Sequence, residues 1–384
     1  MSSPLLRPTL YLLSLGLLLI APDAIAQPDD HCDKNWPDGE EIAELSDPTI
    51  DESSGLGDSW IHDDRLWTHN DSGDQPRLWA LDKQGQVHTT LHVEGADNID
   101  WEDMAIAPCS DAGPPCIYVG DIGDNLSQRE DVQIYRFPEP DLGDEPPTDM
   151  TIAADDVETL TYRYDTGPRD AEAILVHPET REMWVIEKTG DEAVEVFPVD
   201  EDFDADEPQV VTASATLIID APHELLRMVT AADISPDGQE FTLRTYGELF
   251  RYCADDPDDF ASAFQATPST NVVSPPTVQG EALTYDRGDG ALWLTSEQLP
   301  APLIRVPPIS SETEEIPDQE PPSDDDPPED DPPPEEQSPV EDPSFSSSCS
   351  TTTPGAPIAP LLLIALFAVA RRGYCPESRP SLTP

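Results

Sequence analysis

Basic residues are scarce in this chain of 384 residues. It contains 19 Lys and Arg against 80 Asp and Glu, which gives a formal net charge of -61. A protein this acidic offers neither a basic groove for nucleic acid nor a polybasic patch for an anionic membrane face, so both partners are excluded. Residues 27–306 hold just three Lys. Such a surface suits high salt, where screening removes self-repulsion, and it predicts a saline habitat.

The chain also lacks the motifs of several enzyme classes. It has no Gly-x-Ser-x-Gly elbow, no P-loop and no dinucleotide-binding fingerprint. It has no Cys-x-x-Cys or Cys/His cluster that would hold a structural zinc ion. Nucleophilic catalysis and nucleotide chemistry are therefore not expected.

The N-terminal 26 residues have the pattern of a secretory signal peptide. Arg7 precedes an apolar core at residues 10–20, and Ala24-Ile25-Ala26 is an A-x-A cleavage site. The alternative is an uncleaved membrane anchor, but the apolar run is short for a span of about 20 residues. We expect export and cleavage after Ala26.

The C-terminal region divides into two predicted segments. Residues 307–345 form an acidic, Pro-rich stalk, and residues 307–343 alone carry twelve Pro and fifteen acidic residues with no basic one. Like-charge repulsion and Pro keep such a segment extended and unfolded. Residues 346–384 follow with Cys349 in a small polar stretch, a short apolar helix at 358–370, and then Arg371-Arg372.

This last segment resembles the MYXO-CTERM sorting signal. The resemblance implies that Cys349 is the retained, modified residue and that a processing protease removes the tail as the protein is fixed to the cell envelope. The chain departs from the pattern by continuing for twelve residues after Arg372. A plain C-terminal membrane anchor is the alternative, and in both cases the folded part is exported and tethered at the cell surface.

Export predicts an oxidised set of cysteines. Cys109 and Cys116 flank a turn-forming loop, so we expect a local disulfide that closes a hairpin. Cys32 and Cys253 remain within residues 27–306, and their pairing would join the N-terminal arm to a distant strand.

An internal repeat runs through residues 40–306. Each unit has an acidic residue, a short strand of small apolar residues, a turn and a strongly β-prone strand, followed by outer strands with alternating apolar positions. The acidic markers are Glu52, Glu102, Glu172, Asp233 and Glu281. Four antiparallel strands repeated in this way predict an all-β fold, a β-propeller with five blades over residues 27–306.

Two features of this propeller remain open. The last unit lacks a fourth strand, which residues 40–45 would supply to close the ring. A sixth blade hidden in residues 125–168 or 189–228 would make a six-bladed ring. A β-sandwich would explain the strands but not the recurring acidic marker.

The unit openings at residues 101–105 and 280–283, an acidic residue followed by small apolar ones, resemble those of extracellular propellers of the esterase-like phytase and SdiA-regulated kind. The resemblance rests on short motifs and spans about 260 residues. It implies a propeller with an acidic, calcium-loaded central site.

The acidic markers predict a cation site, because the first strand of each blade lines the channel of a propeller. A ring of carboxylates is costly unless a cation or protons neutralise it, and calcium prefers carboxylate and carbonyl oxygens. The predicted ligands are Glu52, Glu102, Asp103, Asp121, Glu172, Asp233 and Glu281. The alternative is that each acid caps a turn or hydrogen-bonds the backbone of a neighbouring blade.

Polar residues at the ends of the second strands, with two Arg in adjacent loops, predict a ligand-binding set. Together with calcium, the basic members would grip phosphate or carboxylate groups. The set is Asn70, Asp71, Arg129, Arg169, Glu187, Lys188, Arg244 and Glu297. The alternative is that each Arg pairs with one of the many carboxylates.

These features predict a cell-surface propeller that binds a glycan, a protein or a small ligand at the channel mouth. The rival hypothesis is a calcium-dependent hydrolase of phosphoesters or esters, in which a cation-bound water is the nucleophile.

Overall fold

The structure is a computed structural model that describes residues 35–45, 47–256 and 258–309. The predicted signal peptide, Cys32, the stalk and the sorting signal with Cys349 lie outside these residues. Twenty-two strands and three short 3-10 helices are described, and the strands form five sheets.

The five sheets are the blades of a propeller. Blade one contains β2 (Ser53–Asp58), β3 (Arg65–Asn70), β4 (Arg77–Asp82) and β5 (Val87–Val93). Blade two contains β6 (Trp101–Pro108), β7 (Pro115–Asp121), β8 (Val132–Pro138) and β10 (Glu158–Tyr164). Blade three contains β11 (Ala171–Val176), β12 (Met183–Glu187), β13 (Ala193–Val199) and β15 (Ala215–Ile218). Blade four contains β16 (Val229–Ile234), β17 (Glu240–Thr245), β18 (Glu248–Cys253) and β19 (Ser269–Val272).

Blade five is closed by the N-terminal strand. It contains β20 (Gly280–Tyr285), β21 (Leu292–Ser296), β22 (Ala301–Val306) and β1 (Glu40–Leu45), and β1 pairs antiparallel with β22. The inner strands β2, β6, β11, β16 and β20 contact one another in that order, and β20 contacts β2 again. The predicted five-bladed propeller and the closing role of residues 40–45 are confirmed.

Two further strands were not expected from the sequence. β9 (Asp149–Ile152) pairs in parallel with β5 of blade one, and β14 (Gln209–Val211) pairs in parallel with β10 of blade two. Each is contributed by the chain of the following blade. The segments considered for a sixth blade therefore add outer strands to existing blades.

Three 3-10 helices lie in the connections, at Ala154–Asp156, Glu224–Leu226 and Phe260–Gln265. In the last of them, Phe260 and Phe264 are buried against Trp184 of blade three and Phe241 of blade four. No helix of the described ranges is long and apolar enough to cross a membrane, and the predicted apolar helix at 358–370 lies outside them.

The apolar core lies between neighbouring blades. Trp67 and Leu78 of blade one pack with Trp101 and Ile117 of blade two. Leu45, Trp293 and Trp79 join blade five to blade one in a second cluster of the same kind. Because both faces of each sheet are covered in this way, the inner and central strands are buried along almost their whole length.

The local disulfide Cys109–Cys116 is confirmed, and it joins the end of β6 to β7 across their turn. Cys253 at the end of β18 is also disulfide-bonded. Its predicted partner Cys32 lies outside the described residues.

The closing strand provides a stability prediction. Leu45 is 1% exposed in the cluster that joins blades five and one, whereas Ile42 of the same strand is 40% exposed. Leu45→Ala should lower the free energy of unfolding by about 2–5 kcal/mol through lost burial and a residual cavity. Ile42→Ala, the matched control, should cost about 0.5 kcal/mol or less. Urea denaturation measures both, and equal losses would show that β1 is not held by its buried face.

Candidate functional site

Each inner strand begins with an irregular register against its neighbour. The shifts lie between Ser53 and Gly55, Trp101 and Met104, Ala171 and Ala173, Val229 and Ala231, and Gly280 and Ala282. A bulge leaves a residue unpaired and redirects its side chain. The residues so placed are Ser54, Glu102 with Asp103, Glu172, Thr230 and Glu281.

Three of the five acidic markers therefore occupy equivalent positions, and two do not. In blade one the bulge carries Ser54, whose hydroxyl donates to Glu102 O at 2.6 Å. In blade four it carries Thr230, whose hydroxyl donates to Gly280 O at 2.8 Å. Glu52 precedes its strand, and Asp233 lies three residues further along. The predicted ring of five carboxylates is thus a set of three glutamates and two hydroxyls.

The second strands end at this same mouth of the channel. Asn70, Asp121, Glu187 and Arg244 pair with Ser53, Trp101, Ala171 and Ala231 of the inner strands. We call this end the acidic mouth and define it by Asp71, Asp100, Glu102, Glu172, Lys188, Glu281 and Glu297.

Lys188 neutralises part of the carboxylate set. Its ammonium contacts Glu172 Oε1 and lies 5.1 Å from the centroid of the Tyr246 ring. Burial alone would lower the pKa of Lys188, but the charges of Glu172 and Glu281 raise it well above its usual value. Lys188 is thus an internal counter-charge for Glu172 and Glu281, which form this side of the mouth.

The three glutamates are nearly inaccessible, with exposures of 2–3%. Burial, followed by the charge of Glu172, raises the pKa of Glu102 well above its usual value. Burial also raises the pKa of Glu281 to about 8, against the opposing charge of Lys188. Glu102 Oε1, Glu172 Oε2 and Glu281 Oε2 have no hydrogen-bond donor among the described residues. These oxygens are costly to bury as anions, and a cation would relieve the cost.

On the other side of the mouth, Asp71, Asp100 and Glu102 converge. Each places one carboxylate oxygen so that all three oxygens lie within 4.8 Å of one another. Burial and the charges of Glu297 and Asp100 raise the pKa of Asp71 to about 7. Asp100 was missed from the sequence, although an acid two residues before Glu102 was the available signal.

Gly123 allows these carboxylates to approach the backbone. A Cβ at this position would lie 2.0 Å from Glu102 Oε1 and 2.8 Å from Asp100 Oδ2. The glycine falls in the Asp/Asn/Gly-rich loop after β7. Its small size is what leaves room for Glu102 to enter the cluster.

The predicted basic anchors are engaged by the protein itself. Arg129 pairs with Asp121 at 2.9 Å, and Arg169 pairs with Glu187 and Glu195 at 2.5 and 2.7 Å. Arg244 is fully buried and donates to Thr295 O at 2.6 Å, and burial lowers its pKa to about 10. The alternative interpretation, in which each Arg pairs with a carboxylate, describes Arg129 and Arg169, whereas Arg244 is engaged by backbone carbonyls.

Other predicted site residues hold the blades together. Asp103 accepts backbone N–H bonds from Met104, Ile174 and Ala232, and so links three blades inside the channel. Asp233 accepts from the backbone of Ile234 and Tyr285 at the opposite end of the inner strands.

The remaining predicted residues lie at the rim of the acidic mouth. The Asn70 amide donates to Thr49 O and Asp51 Oδ1. Glu52 is exposed, and its charge acts on both Asp71 and Glu297. Burial, followed by the charge of Glu52, raises the pKa of Glu297 to about 7. The acidic mouth as a whole has an excess of carboxylates over its one internal ammonium, so its chemistry favours binding a hard cation.

Removal of Lys188 tests the internal charge balance. Lys188→Met should destabilise the protein by about 3–5 kcal/mol near pH 8, because buried carboxylates lose their counter-charge. The loss should shrink as the pH falls towards about 5, since glutamates with raised pKa values then take up protons and no longer need the ammonium. Urea denaturation in EDTA at both pH values measures the difference.

The matched control is Arg163→Met, which removes a surface cation paired with Glu130 and Asp131. It should cost less than about 1 kcal/mol at either pH. A loss for Lys188→Met that does not change with pH would contradict the proposed coupling to the glutamates.

Comparison with known proteins adds no family to this description. No protein-family model matches the chain, and no curated protein matches it. The propeller fold is therefore established by the structure, while the phytase-like and MYXO-CTERM resemblances stay predictions from sequence motifs.

Proposed function

We propose that the protein is an exported, surface-tethered propeller that binds a calcium ion at its acidic mouth and a ligand through that ion. The observation that carries the proposal is the convergence of Asp71, Asp100 and Glu102 within 4.8 Å, with Glu102 Oε1 buried and without a donor among the described residues. Three carboxylates at this separation repel one another unless a cation or protons lie among them.

The ligand set favours calcium over other common metals. It consists of oxygen donors, and no His nitrogen or Cys sulfur belongs to this carboxylate cluster. Hard cations prefer oxygen ligands, and calcium accepts six to eight of them in flexible geometry, whereas magnesium demands a near-ideal octahedron. Carboxylates from a loop and the start of a strand fit the more tolerant ion.

The cluster is accessible enough for a ligand to complete the coordination. Asp71 and Asp100 are partly exposed, whereas Glu102 is buried beneath them. An ion held here would rest on Glu102 and keep its outward positions open. An oxygen-rich ligand such as a glycan hydroxyl or a carboxylate would occupy those positions.

The rival function is calcium-dependent hydrolysis of a phosphoester at the same mouth. One observation favours it: the pKa values of Asp71 and Glu297 are raised to about 7, the range in which a carboxylate can act as a general base on a metal-bound water. Against it, Arg129 and Arg169 are paired with carboxylates and do not point free donors at a phosphate. Ligand binding is therefore the function that the geometry supports best.

Export and tethering complete the proposal. They rest on the sequence patterns at residues 1–26 and 346–384, and the Cys109–Cys116 disulfide is consistent with an oxidising compartment. Fractionation of cells and N-terminal sequencing of the mature protein test them, with Gln27 expected as the first residue. Recovery of the uncleaved chain from the cytosol would contradict them.

Calcium binding is the central prediction. Isothermal titration of the full chain should show calcium binding, and EDTA should lower the melting temperature because the ion binds the folded state alone. Glu102→Gln and Asp71→Asn should each weaken binding by about tenfold or more, since each removes a charged ligand.

Asp63→Asn, at an exposed acid of blade one away from the cluster, is the matched control and should bind as the parent does. No calcium binding, or equal binding by all three variants, would overturn the cation site. Turnover of phytate or a phosphomonoester that depends on calcium and on Glu102 would favour the hydrolase instead.

A further inference from the structure

The opposite mouth of the channel holds a second, chemically different pocket. It lies where the inner strands end, and every blade contributes to its lining. Blades one to five provide Trp60, Ile106, Val176, Ile234 and Arg287 respectively. Three of these residues are aliphatic, Asp58 and Asp233 also line the pocket, and the guanidinium of Arg287 is the single cationic group of its lining.

Arg287 is held over an aromatic ring. Its guanidinium carbon lies 3.4 Å from the centroid of the Trp60 ring. The backbone N–H of Trp60 donates to Glu139 Oε2 at 3.0 Å, which fixes the start of the loop that carries the ring. Stacking on an indole orients the planar guanidinium without using its N–H donors.

The donors of this guanidinium have no partner within residues 35–45, 47–256 and 258–309. Ten of the twelve Arg in these ranges form ion pairs, and Arg244 is buried among carbonyls. Arg287 is exposed and forms no ion pair within these ranges. In a chain with 80 acidic residues, an unpaired surface guanidinium is conspicuous.

Nearby carboxylates are occupied by other donors. Asp58 pairs with Lys83 at 2.9 Å and accepts the backbone N–H of Arg287 at 2.9 Å. Asp233 accepts two backbone N–H groups and a threonine hydroxyl. Glu139 accepts a serine hydroxyl, a backbone N–H and an indole N–H. The hydrogen bonds and ion pairs of these acids thus come from groups other than the side chain of Arg287, whose charge acts on them at longer range.

We propose that this second mouth binds the carboxylate of a small aliphatic acid. The guanidinium of Arg287 supplies two parallel N–H donors for the carboxylate, and Ile106, Val176 and Ile234 contact the hydrocarbon part. The cavity is small, about 20 Å³, which is on the scale of one water-sized group. It therefore admits the end of a ligand, and the remainder lies on the apolar rim.

This site is independent of the acidic mouth. It uses an anion-binding group where the acidic mouth uses carboxylates, and its residues lie at the other end of the inner strands. Binding here should be unchanged by EDTA and by Glu102→Gln, so failure of the calcium proposal would leave it intact.

The test is titration of the full chain with sodium butyrate in EDTA. A ligand of six heavy atoms should bind with a Kd of about 1 mM. Arg287→Gln should weaken binding by about tenfold or more, and Arg287→Lys should weaken it severalfold, because an ammonium cannot form the bidentate pair. Arg305→Gln is the matched control, because Arg305 is also near a Trp but is paired with Asp289.

A second measurement uses the unsubstituted protein and so does not depend on how the variants fold. Butyrate should shift the indole N–H resonance of Trp60 in a ¹H–¹⁵N spectrum, and butyramide should not, because it lacks the charge. Four results would each overturn the proposal: no binding of butyrate, equal binding by Arg287→Gln, equal binding of butyramide, or tighter binding of inorganic phosphate than of butyrate.

Discussion

Burial of carboxylates around one axis is the constraint that organises this molecule. Five sheets can cover both faces only by packing against each other in a ring, and that ring brings the starts of five inner strands together. Glu102, Glu172 and Glu281 are then nearly inaccessible, and their raised pKa values express the cost. Lys188 offsets part of that cost from within. On the Asp71 side the charge of Arg129 acts on Asp100, but Arg129 is paired with Asp121, and this asymmetry is why we propose an external cation there.

The fold was largely predictable because a propeller repeats its signal. Five units with the same order of strands predicted the blade number, and the remaining strand at residues 40–45 predicted the closure that β1 makes with β22. The added strands β9 and β14 were not predictable. They have four and three residues, too few for an alternating pattern, and their pairing depends on edges that exist only after blades one and two have folded.

The candidate site was predictable in position but not in register. The spacing of acidic residues along the chain predicted Glu52 and Asp233 as the equivalents of Glu102, Glu172 and Glu281. The bulges place Ser54 and Thr230 at those positions instead. A bulge inserts a residue that no periodic pattern reveals. The ion pairs of Arg129 and Arg169 were not visible in the sequence, where the scarcity of basic residues made these two stand out. The excess of carboxylates over basic residues is the reason that Arg129 is paired with Asp121 and Arg169 with Glu187.

The scarcity of basic residues has its clearest consequence along the channel. When carboxylates outnumber cations, each Arg or Lys is expected to pair with an acid. Lys188 pairs with Glu172 at the acidic mouth, and Lys83 pairs with Asp58 and Asp286. Arg287 departs from this rule because the acids around it already have donors and because Trp60 holds its plane. The two ends of one channel therefore differ in kind. Among the described residues, one end has carboxylate oxygens without a hydrogen-bond donor, and the other has a guanidinium that forms no ion pair. The difference between the two ends of the channel therefore follows from where the five blades place their few positive charges.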